Sequence, residues 1–298
     1  MGIIDRRRFI AATAAGGLAL ALGRRAHAGT QDLPGLAVAT GDDPAGIARA
    51  AVGALGGMSR FVSRGDAVLV KPNIGWDRLP NQAANTNPQV VAAVVAMCLE
   101  AGAGRVLVED NSLNDARRCY ARSGIYEAAT AAGAEMPFMN VRRFRLTETG
   151  GTVLGNWPVY LDALEADVLI NVPIAKHHSL SRLSMGMKNL YGLIGGPRNR
   201  LHQRLAEGIV DLTAFFRPAL TVLDCYRILV RNGPQGGRLS DTELRGMVIA
   251  GTDPVAVDAR GAELFGLGAA DLDYVRLGAE RGLGTHELAG LEVVEVSA

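Results

Sequence analysis

Short apolar runs alternate with helical patterns along most of this chain. Between the first two runs, Asn87 and Pro88 form a typical helix start, since Asn caps helices and Pro suits the first helical position. Apolar residues at helical spacing follow, and Gly102 marks the end of that helix. Asp253 and Pro254 predict the start of another helix, which continues to about residue 265. The apolar runs themselves predict five strands, at residues 68–70, 106–108, 168–170, 220–223 and 247–249.

The order of these elements predicts the fold class. Strands that are apolar along their whole length, and that are separated by helices, are typical of a parallel sheet covered on both faces. We therefore predict a single α/β domain over residues 29–298, with a mostly parallel sheet and helices on both faces. Residues 142–160 lack this pattern, and we expect them to form a small irregular or antiparallel insertion.

The N-terminus, residues 1–28, has the pattern of a twin-arginine signal peptide. Arg6 and Arg7 belong to a run of arginines, and an uncharged stretch follows at residues 11–23. Residues 26–28, Ala-His-Ala, fit a small-x-small cleavage site. The uncharged stretch is shorter than the roughly 20 residues with which a helix spans a bilayer, so no stable membrane anchor is expected. These features predict export through the twin-arginine translocon, and a periplasmic or secreted mature protein.

Charge and cysteine content argue against a nucleic-acid partner and against an iron–sulfur cofactor. The whole chain has a formal charge of +1, and loss of the arginine-rich signal leaves a mildly acidic protein without a basic stripe. Nucleic acid is therefore not expected as a partner. The three cysteines, Cys98, Cys119 and Cys225, include no C-x-x-C pair, so an iron–sulfur cluster held by this chain alone is not expected. Cys98 and Cys119 either form a disulfide or are buried free thiols, and the sequence leaves both alternatives open.

Polar side chains follow each of the predicted strands. In open parallel sheets, ligands bind beyond the carboxyl ends of the strands, so these residues predict one polar cleft at that edge. Such residues also serve as turn formers and helix caps, and we expect a capping role for Asp253. In the order of the strands, the residues concerned are Lys71 and Asn73, Asp110, Asn171, Asp224 and Asp253.

A cluster of lysines and histidines follows the third strand. It comprises Lys176, His177 and His178, then Lys188 and Asn189, and then His202. Ammonium groups balance the charge of a carboxylate or phosphate, and a neutral imidazole relays protons, so the cluster suits a small anionic ligand. The residues predicted to bind it are Lys71, Asn73, Lys176, Asn189 and Asp224. The candidate catalytic residues are His177, His202 and Lys188.

The same side chains allow two other interpretations. One is a metal site, for which the candidate ligands are His177, His202, Asp224 and Asp110. Because His177 and His178 are adjacent, only one of them is expected to be functional. The other interpretation is that the histidines are ordinary surface residues of a long loop.

Lys188 is the residue for which the sequence most clearly predicts a charged partner. It lies in the stretch 183–197, which is otherwise uncharged. Lysine is almost never fully buried without a partner, so Lys188 needs either an acid of the protein or an anionic ligand. We expect a ligand. Four glycines of this stretch are expected to let the backbone approach that ligand closely; they are Gly186, Gly192, Gly195 and Gly196.

Six stretches, in order along the chain, resemble the domain-of-unknown-function 362 (DUF362) family. They are residues 70–73, 86–103, 168–173, 176–178, 186–189 and 251–258. The resemblance covers most of the mature chain and implies no particular reaction. Many members carry ferredoxin-like four-cysteine segments, which this sequence lacks, so iron–sulfur redox chemistry is not implied here. The lysine and histidine cluster is also similar in motif to nickel-pincer lactate racemases, an analogy that does not by itself establish a function.

Two function classes follow from these patterns. The first is an enzyme that acts on a small carboxylate-bearing molecule by proton transfer or isomerisation, with a metal ion or another cofactor as an open option. The second is a periplasmic protein without catalysis that either binds a ligand or helps an exported redox enzyme mature. Polar groups at several strand ends favour the enzyme.

Overall fold

The structure, a computed structural model, describes residues 35–298, so the predicted signal peptide lies outside the described residues. The strands are β1 (Leu36–Thr40), β2 (Ala67–Pro72), β3 (Arg105–Val108), β4 (Phe144–Glu148), β5 (Asn156–Tyr160), β6 (Val168–Val172), β7 (Ile174–His178), β8 (Arg182–Ser184), β9 (Leu220–Leu229), β10 (Thr242–Gly251) and β11 (Val293–Ser297). The helices are α1 (Pro44–Ala54), α2 (Pro88–Glu100), α3 (Ala116–Arg122), α4 (Ile125–Ala131), α5 (Leu161–Glu165), α6 (Gly186–Asn189), α7 (Leu205–Phe216), α8 (Pro254–Glu263) and α9 (Asp273–Glu280).

Nine of these strands form one mixed sheet. Its main path has the order β11, β1, β10, β9, β6, β2, β3, and β7 pairs with both β9 and β8. The parallel pairs are β11–β1, β9–β6, β6–β2, β2–β3 and β7–β9. The antiparallel pairs are β1–β10, β10–β9 and β7–β8. The prediction of a mostly parallel sheet is confirmed, and each of the five predicted strands is present.

Helices cover both faces of the sheet, because successive side chains of a strand point to opposite faces. In β1, Ala37 and Ala39 share a buried core with residues of α1 and α2. Leu36 and Val38, on the other face, share a core with residues of α8 and α9. The predicted layers, with helices on both sides of the sheet, are therefore present.

The predicted helix boundaries rest on caps that the structure contains. The Asn87 side chain accepts a hydrogen bond of 2.9 Å from the first turn of α2, which begins at Pro88. Gly102 follows α2 with a φ of 98°, the left-handed conformation that suits glycine. Asp253 accepts two hydrogen bonds from the first turn of α8, so its predicted capping role is confirmed.

Residues 142–160 contain the predicted insertion. There β4 and β5 form a two-stranded antiparallel sheet with Phe144 opposite Tyr160. Cys98, Cys119 and Cys225 are buried free thiols, so of the two alternatives the disulfide is not formed. Within residues 35–298, no helix has both the length and the apolar character that crossing a membrane requires.

Two polar residues do not lie where the strand-end argument places them. Lys71 and Asn171 pair side by side at the carboxyl ends of β2 and β6, as predicted. However, β10 runs antiparallel to β9, so the chain after β10 leaves the sheet toward the amino ends of β2 and β6, and Asp253 lies away from the predicted edge. An apolar run carries no information about strand direction, which is why the predicted position of Asp253 at this edge of the sheet was wrong. Asp224 lies within β9, which is longer than predicted.

Candidate functional site

A cleft of about 350 Å³ opens at the carboxyl ends of β2 and β3, beside β7 and α6. This volume is within the range of pockets that hold small molecules. Apolar parts of the wall come from Trp76, Leu113 and Tyr191. Of the nine residues predicted to be catalytic, ligand-binding or metal-ligating, seven line it, namely Lys71, Asn73, Asp110, Lys176, Lys188, Asn189 and His202.

The lysines of the chain are all in this cleft. Of its 31 lysines and arginines, only Lys71, Lys176 and Lys188 are lysines, and all three line the cleft. Their exposed fractions are 0, 1 and 9 %. Because buried lysines need partners, the groups around each amino nitrogen show what that lysine can do.

Lys71 is paired inside the protein. Its Nζ lies 2.9 Å from Asp110 Oδ1 and donates to Pro72 O at 2.7 Å and to Asn189 Oδ1 at 3.0 Å. Three acceptors, one of them a carboxylate, match the three N–H groups of an ammonium ion. Burial lowers the pKa of Lys71, and the charge of Asp110 opposes that shift. Lys71 therefore belongs to the wall of the cleft and has no N–H left for a ligand.

Asn189 holds the strand ends together. Its Oδ1 accepts from Lys71 Nζ and, at 3.2 Å, from Asn73 Nδ2. Its Nδ2 donates to Lys71 O at 3.0 Å and to Asn171 Oδ1 at 2.9 Å. Both ends of the side-chain amide are thus engaged by the protein, so Asn189 positions neighbouring side chains instead of presenting a free amide to a ligand.

Lys176 has no acid partner among the described residues. Its Nζ donates to Asn73 Oδ1 at 2.9 Å and to Ala84 O at 2.6 Å. Burial, and after it the charge of Lys188, lowers the pKa of Lys176 to about 7. Near neutral pH this amino group therefore exchanges between its ammonium and amine forms.

Lys188 forms neither a hydrogen bond nor an ion pair with any residue in the described part of the chain. Its Nζ lies 4.8 Å from the centre of the Tyr191 ring, a cation–π contact. Burial, and after it the charge of Arg198, lowers the pKa of Lys188 to about 8. At pH 7 the side chain is thus mostly a cation, and its N–H donors are unused.

The structure decides between the two adjacent histidines. Neighbouring residues of β7 point to opposite faces, so His178 lines the cleft together with Lys176, and His177 does not. His177 instead accepts a hydrogen bond of 3.1 Å from Gly233 N through Nδ1. We therefore withdraw His177 as a candidate catalytic residue and place His178 in the cleft.

His178 is held in one tautomer. Its Nδ1 accepts from Leu180 N at 3.1 Å and from Ser181 N at 3.3 Å, so the proton of the neutral ring is on Nε2. Burial, and after it the charges of Lys188 and Lys176, lowers the pKa of His178 to about 3. The ring therefore stays neutral and can act as a hydrogen-bond donor.

His202 and Arg198 come from a 3-10 segment, Arg198–Arg204, at the rim of the cleft. His202 is exposed at this rim, although part of its ring is buried. That partial burial, and after it the charge of Lys188, lowers the pKa of His202, so the imidazole is mostly neutral at pH 7 and able to accept a proton. Arg198 donates to Asn111 O at 3.1 Å. Arg198 was not predicted from the sequence, because arginines are frequent in this chain and the residues around Arg198 form no recognisable motif.

Asp224 does not line the cleft, contrary to the prediction. It is fully buried, and its carboxylate accepts from Asn87 N at 2.7 Å and from Tyr226 N at 2.9 Å. Burial raises its pKa to about 6, and these two hydrogen bonds oppose the shift. Asp224 therefore supports the backbone at the start of α2, and we withdraw it as a ligand-binding residue.

The four candidate metal ligands do not converge. Among residues 35–298, no group of three or more histidines, cysteines, aspartates or glutamates is arranged so that it could hold a metal ion. Asp110 is occupied by Lys71 Nζ and by Ile74 N, which donates to its Oδ2 at 2.6 Å. The predicted combination of His177, His202, Asp224 and Asp110 is therefore not a metal site.

Asp258 positions the segment that carries two of the cleft residues. This fully buried carboxylate accepts from Gly186 N at 2.7 Å and from Met187 N at 3.0 Å, at the start of α6. Lys188 and Asn189 lie on the same short helix. The sequence signal for Asp258 was its place at the end of the DUF362-like stretch 251–258.

Two glycines near Lys188 lie close to other parts of the protein. A Cβ atom on Gly192 would lie 1.8 Å from Asp110 Oδ1 and 2.6 Å from Lys71 Nζ. A Cβ on Gly195 would lie 2.7 Å from the Phe144 ring. Gly192 and Gly195 are therefore required for close packing, and the contact of these glycines with a ligand stays a prediction.

Comparisons with known proteins identify a family and a relative of this chain. Residues 68–263 match the family model described as domain of unknown function (DUF362). A thylakoid-associated protein of Synechocystis sp. is 31% identical over 212 residues, which are 68% of this chain and 64% of that protein, so this chain spans less than two thirds of that relative's length.

Two solved structures are similar at low identity. The lactate racemase apoprotein from Thermoanaerobacterium thermosaccharolyticum has a TM-score of 0.44 and 12% identity, over 76% of this chain and 56% of that one. A protein from Thermotoga maritima has a TM-score of 0.41 and 13% identity, over 76% of this chain and 60% of that one.

Proposed function

This chain belongs to the DUF362 family, and we propose that its cleft binds a small carboxylate-bearing molecule and transfers a proton on that molecule. In this proposal Lys188 binds the carboxylate, and His202 acts as the acid or base. Lys71, Asn73 and Asn189 shape the cleft and keep Lys176 and Lys188 in place.

The observation that carries the proposal is the missing partner of Lys188. Burying a charge without a partner is costly. Lys188 is 9 % exposed, and no carboxylate of residues 35–298 pairs with it. A carboxylate of a ligand would supply that partner, because its oxygens accept charge-assisted hydrogen bonds from ammonium groups. Arg198 adds positive charge beside the same part of the cleft.

Groups able to move protons at neutral pH favour an enzyme over a binding protein. General acids and bases work best when their pKa lies near the working pH. The pKa of Lys176 is lowered to about 7, and the neutral imidazole of His202 lies at the rim of the same cleft. Proton transfer requires such groups beside the substrate, whereas binding a carboxylate requires only a cation such as Lys188.

A substitution of Lys188 tests the binding step. We predict that the wild-type chain binds propionate and that Lys188→Met abolishes this binding, as measured by titration calorimetry. Thermal unfolding should show unchanged or higher stability for Lys188→Met, because the change removes an unpaired buried cation. A large loss of stability, with residual binding in proportion to the folded protein, would instead mean that Lys188 has a structural partner.

The matched control is His202→Ala, at the rim of the same cleft. This variant should still bind propionate but should lose the exchange of pyruvate methyl protons with D2O, followed by proton NMR. If the wild-type chain binds both carboxylates and exchanges no protons, the ligand-binding alternative replaces the enzyme.

A further inference from the structure

The three lysines of this chain differ in the number of hydrogen-bond acceptors around them. Lys71 Nζ has three, and one belongs to Asp110. Lys176 Nζ has two, Asn73 Oδ1 at 2.9 Å and Ala84 O at 2.6 Å, and neither is charged. An ammonium ion has three N–H groups, whereas a neutral amine has two N–H groups and a lone pair.

This count matches the amine form of Lys176. Both N–H groups of a neutral Lys176 are used by Asn73 and Ala84, which leaves the lone pair at the remaining tetrahedral position of the nitrogen. Lys176 is one of the residues that line the cleft. The ammonium form would leave one buried N–H without an acceptor, a costly arrangement. The charge of Lys188 in the same cleft favours the neutral form too.

We propose that Lys176 is a nucleophile that forms an imine with the carbonyl carbon of a 2-oxo acid bound in the cleft. This inference rests on the proposed function, since Lys188 binds the carboxylate of the same molecule. It defines the substrate class as a carboxylate with an adjacent carbonyl group.

The step needs no redox partner. The lone pair of Lys176 Nζ attacks the carbonyl carbon, and the carbonyl π electrons move to oxygen, which takes up a proton. The nitrogen loses one proton as the carbinolamine forms, and the oxygen takes up a second proton. The nitrogen lone pair then forms the C=N bond as the carbon–oxygen bond breaks, the oxygen leaves as water, and the nitrogen gives up its remaining proton. Buried lysines with a lowered pKa are suited to this chemistry, because only the amine is nucleophilic.

Two further groups of the cleft fit the same substrate. His178 lies on the same face of β7 as Lys176, and its neutral ring carries the proton on Nε2. An Nε2–H donor stabilises negative charge on the carbonyl oxygen as the amine adds. The imine makes protons on the adjacent carbon more acidic, and His202 is the base that we propose removes one.

Reduction with borohydride tests the imine directly. The probe is pyruvate with sodium borohydride, added to the full chain and read by intact mass and peptide mapping. Only three lysines and the N-terminal amine can react, which makes assignment simple. We expect one reduced pyruvate adduct, on Lys176, and its loss in Lys176→Arg and in Lys176→Met. Lys71, whose nitrogen is occupied by Asp110, should carry none.

The pH dependence of adduct formation tests the same inference without any variant. In the wild-type chain, adduct formation should reach half of its maximum near pH 7, where the pKa of Lys176 lies, and not near the value of an exposed lysine. Propionate, which has a carboxylate and no carbonyl, should compete with pyruvate and leave no adduct.

The outcomes separate this inference from the proposed function. If pyruvate binds in a manner that depends on Lys188, and borohydride traps no adduct or traps it away from Lys176, the imine is overturned and the carboxylate site stands. If neither pyruvate nor propionate binds, both proposals fall.

Discussion

At the scale of single residues, the surroundings of three lysines assign them different roles. Lys71 has three acceptors and stays a structural cation, and Lys176 has two uncharged acceptors. Lys188 has only the ring of Tyr191. Their side chains are chemically identical, so the differences come from what each nitrogen contacts.

The pair formed by Lys71 and Asp110 should be a major source of stability that does not involve a ligand. Lys71→Met leaves Asp110, which is 4 % exposed, without its countercharge. Removing one partner of a buried pair typically costs about 3–5 kcal/mol, and we expect a loss of that size in the free energy of unfolding. Urea denaturation measures it, with Lys188→Met as the matched lysine control. A loss below about 1 kcal/mol, the value typical of solvated pairs, would contradict this role of Lys71.

At the scale of elements, α6 shows how a short segment is kept in place. It contains four residues, Gly186–Asn189, too few to form a stable helix alone. Asp258 on α8 accepts two hydrogen bonds from the first backbone N–H groups of α6. Lys188 and Asn189 reach the cleft from this segment, so α8 sets their position without lining the cleft itself.

Asp258→Ala should therefore affect both stability and binding. It leaves two buried N–H groups without acceptors, for which we expect a loss of about 1–3 kcal/mol in the free energy of unfolding. Propionate binding should weaken at temperatures where the variant is fully folded, as measured by titration calorimetry. The control is Asp253→Ala, which removes the cap of α8 and should cost about 1 kcal/mol with unchanged affinity. Equal affinity in both variants would show that Asp258 does not position Lys188.

At the scale of the whole molecule, we propose that the chain is exported by the twin-arginine translocon, through residues 1–28. The arginine pair Arg6 and Arg7 is the part of this signal that its receptor recognises. Replacing both with Lys should leave the precursor in the cytoplasm, and cell fractionation measures this. Unchanged amounts of periplasmic protein would disprove the assignment. In the exported wild type, N-terminal sequencing should find Gly29 within one or two residues.

The sequence by itself determined the features that depend on near neighbours. Five of the nine strands of the central sheet, the caps at Asn87 and Asp253, and the left-handed Gly102 were predictable. Their signals lie within a few residues of the structure they form. Several cleft residues were predictable for a related reason. Polar side chains directly after parallel strands meet at one edge of the sheet, and Lys71 and Asn171 do so. That the chain has only three lysines can also be seen from the sequence.

Only the tertiary structure decided the features that depend on distant partners. The direction of β10 depends on its pairing with β9, so no local signal could place Asp253. The choice of His178 over His177 depends on β7, a strand that was not predicted from the sequence. The chemistry of the lysines depends on acceptors far along the chain: Lys71 and Asn189 are 118 positions apart. The residues next to a lysine in the sequence do not predict those acceptors. The acceptors in turn influence whether the lysine nitrogen is an ammonium cation or an amine.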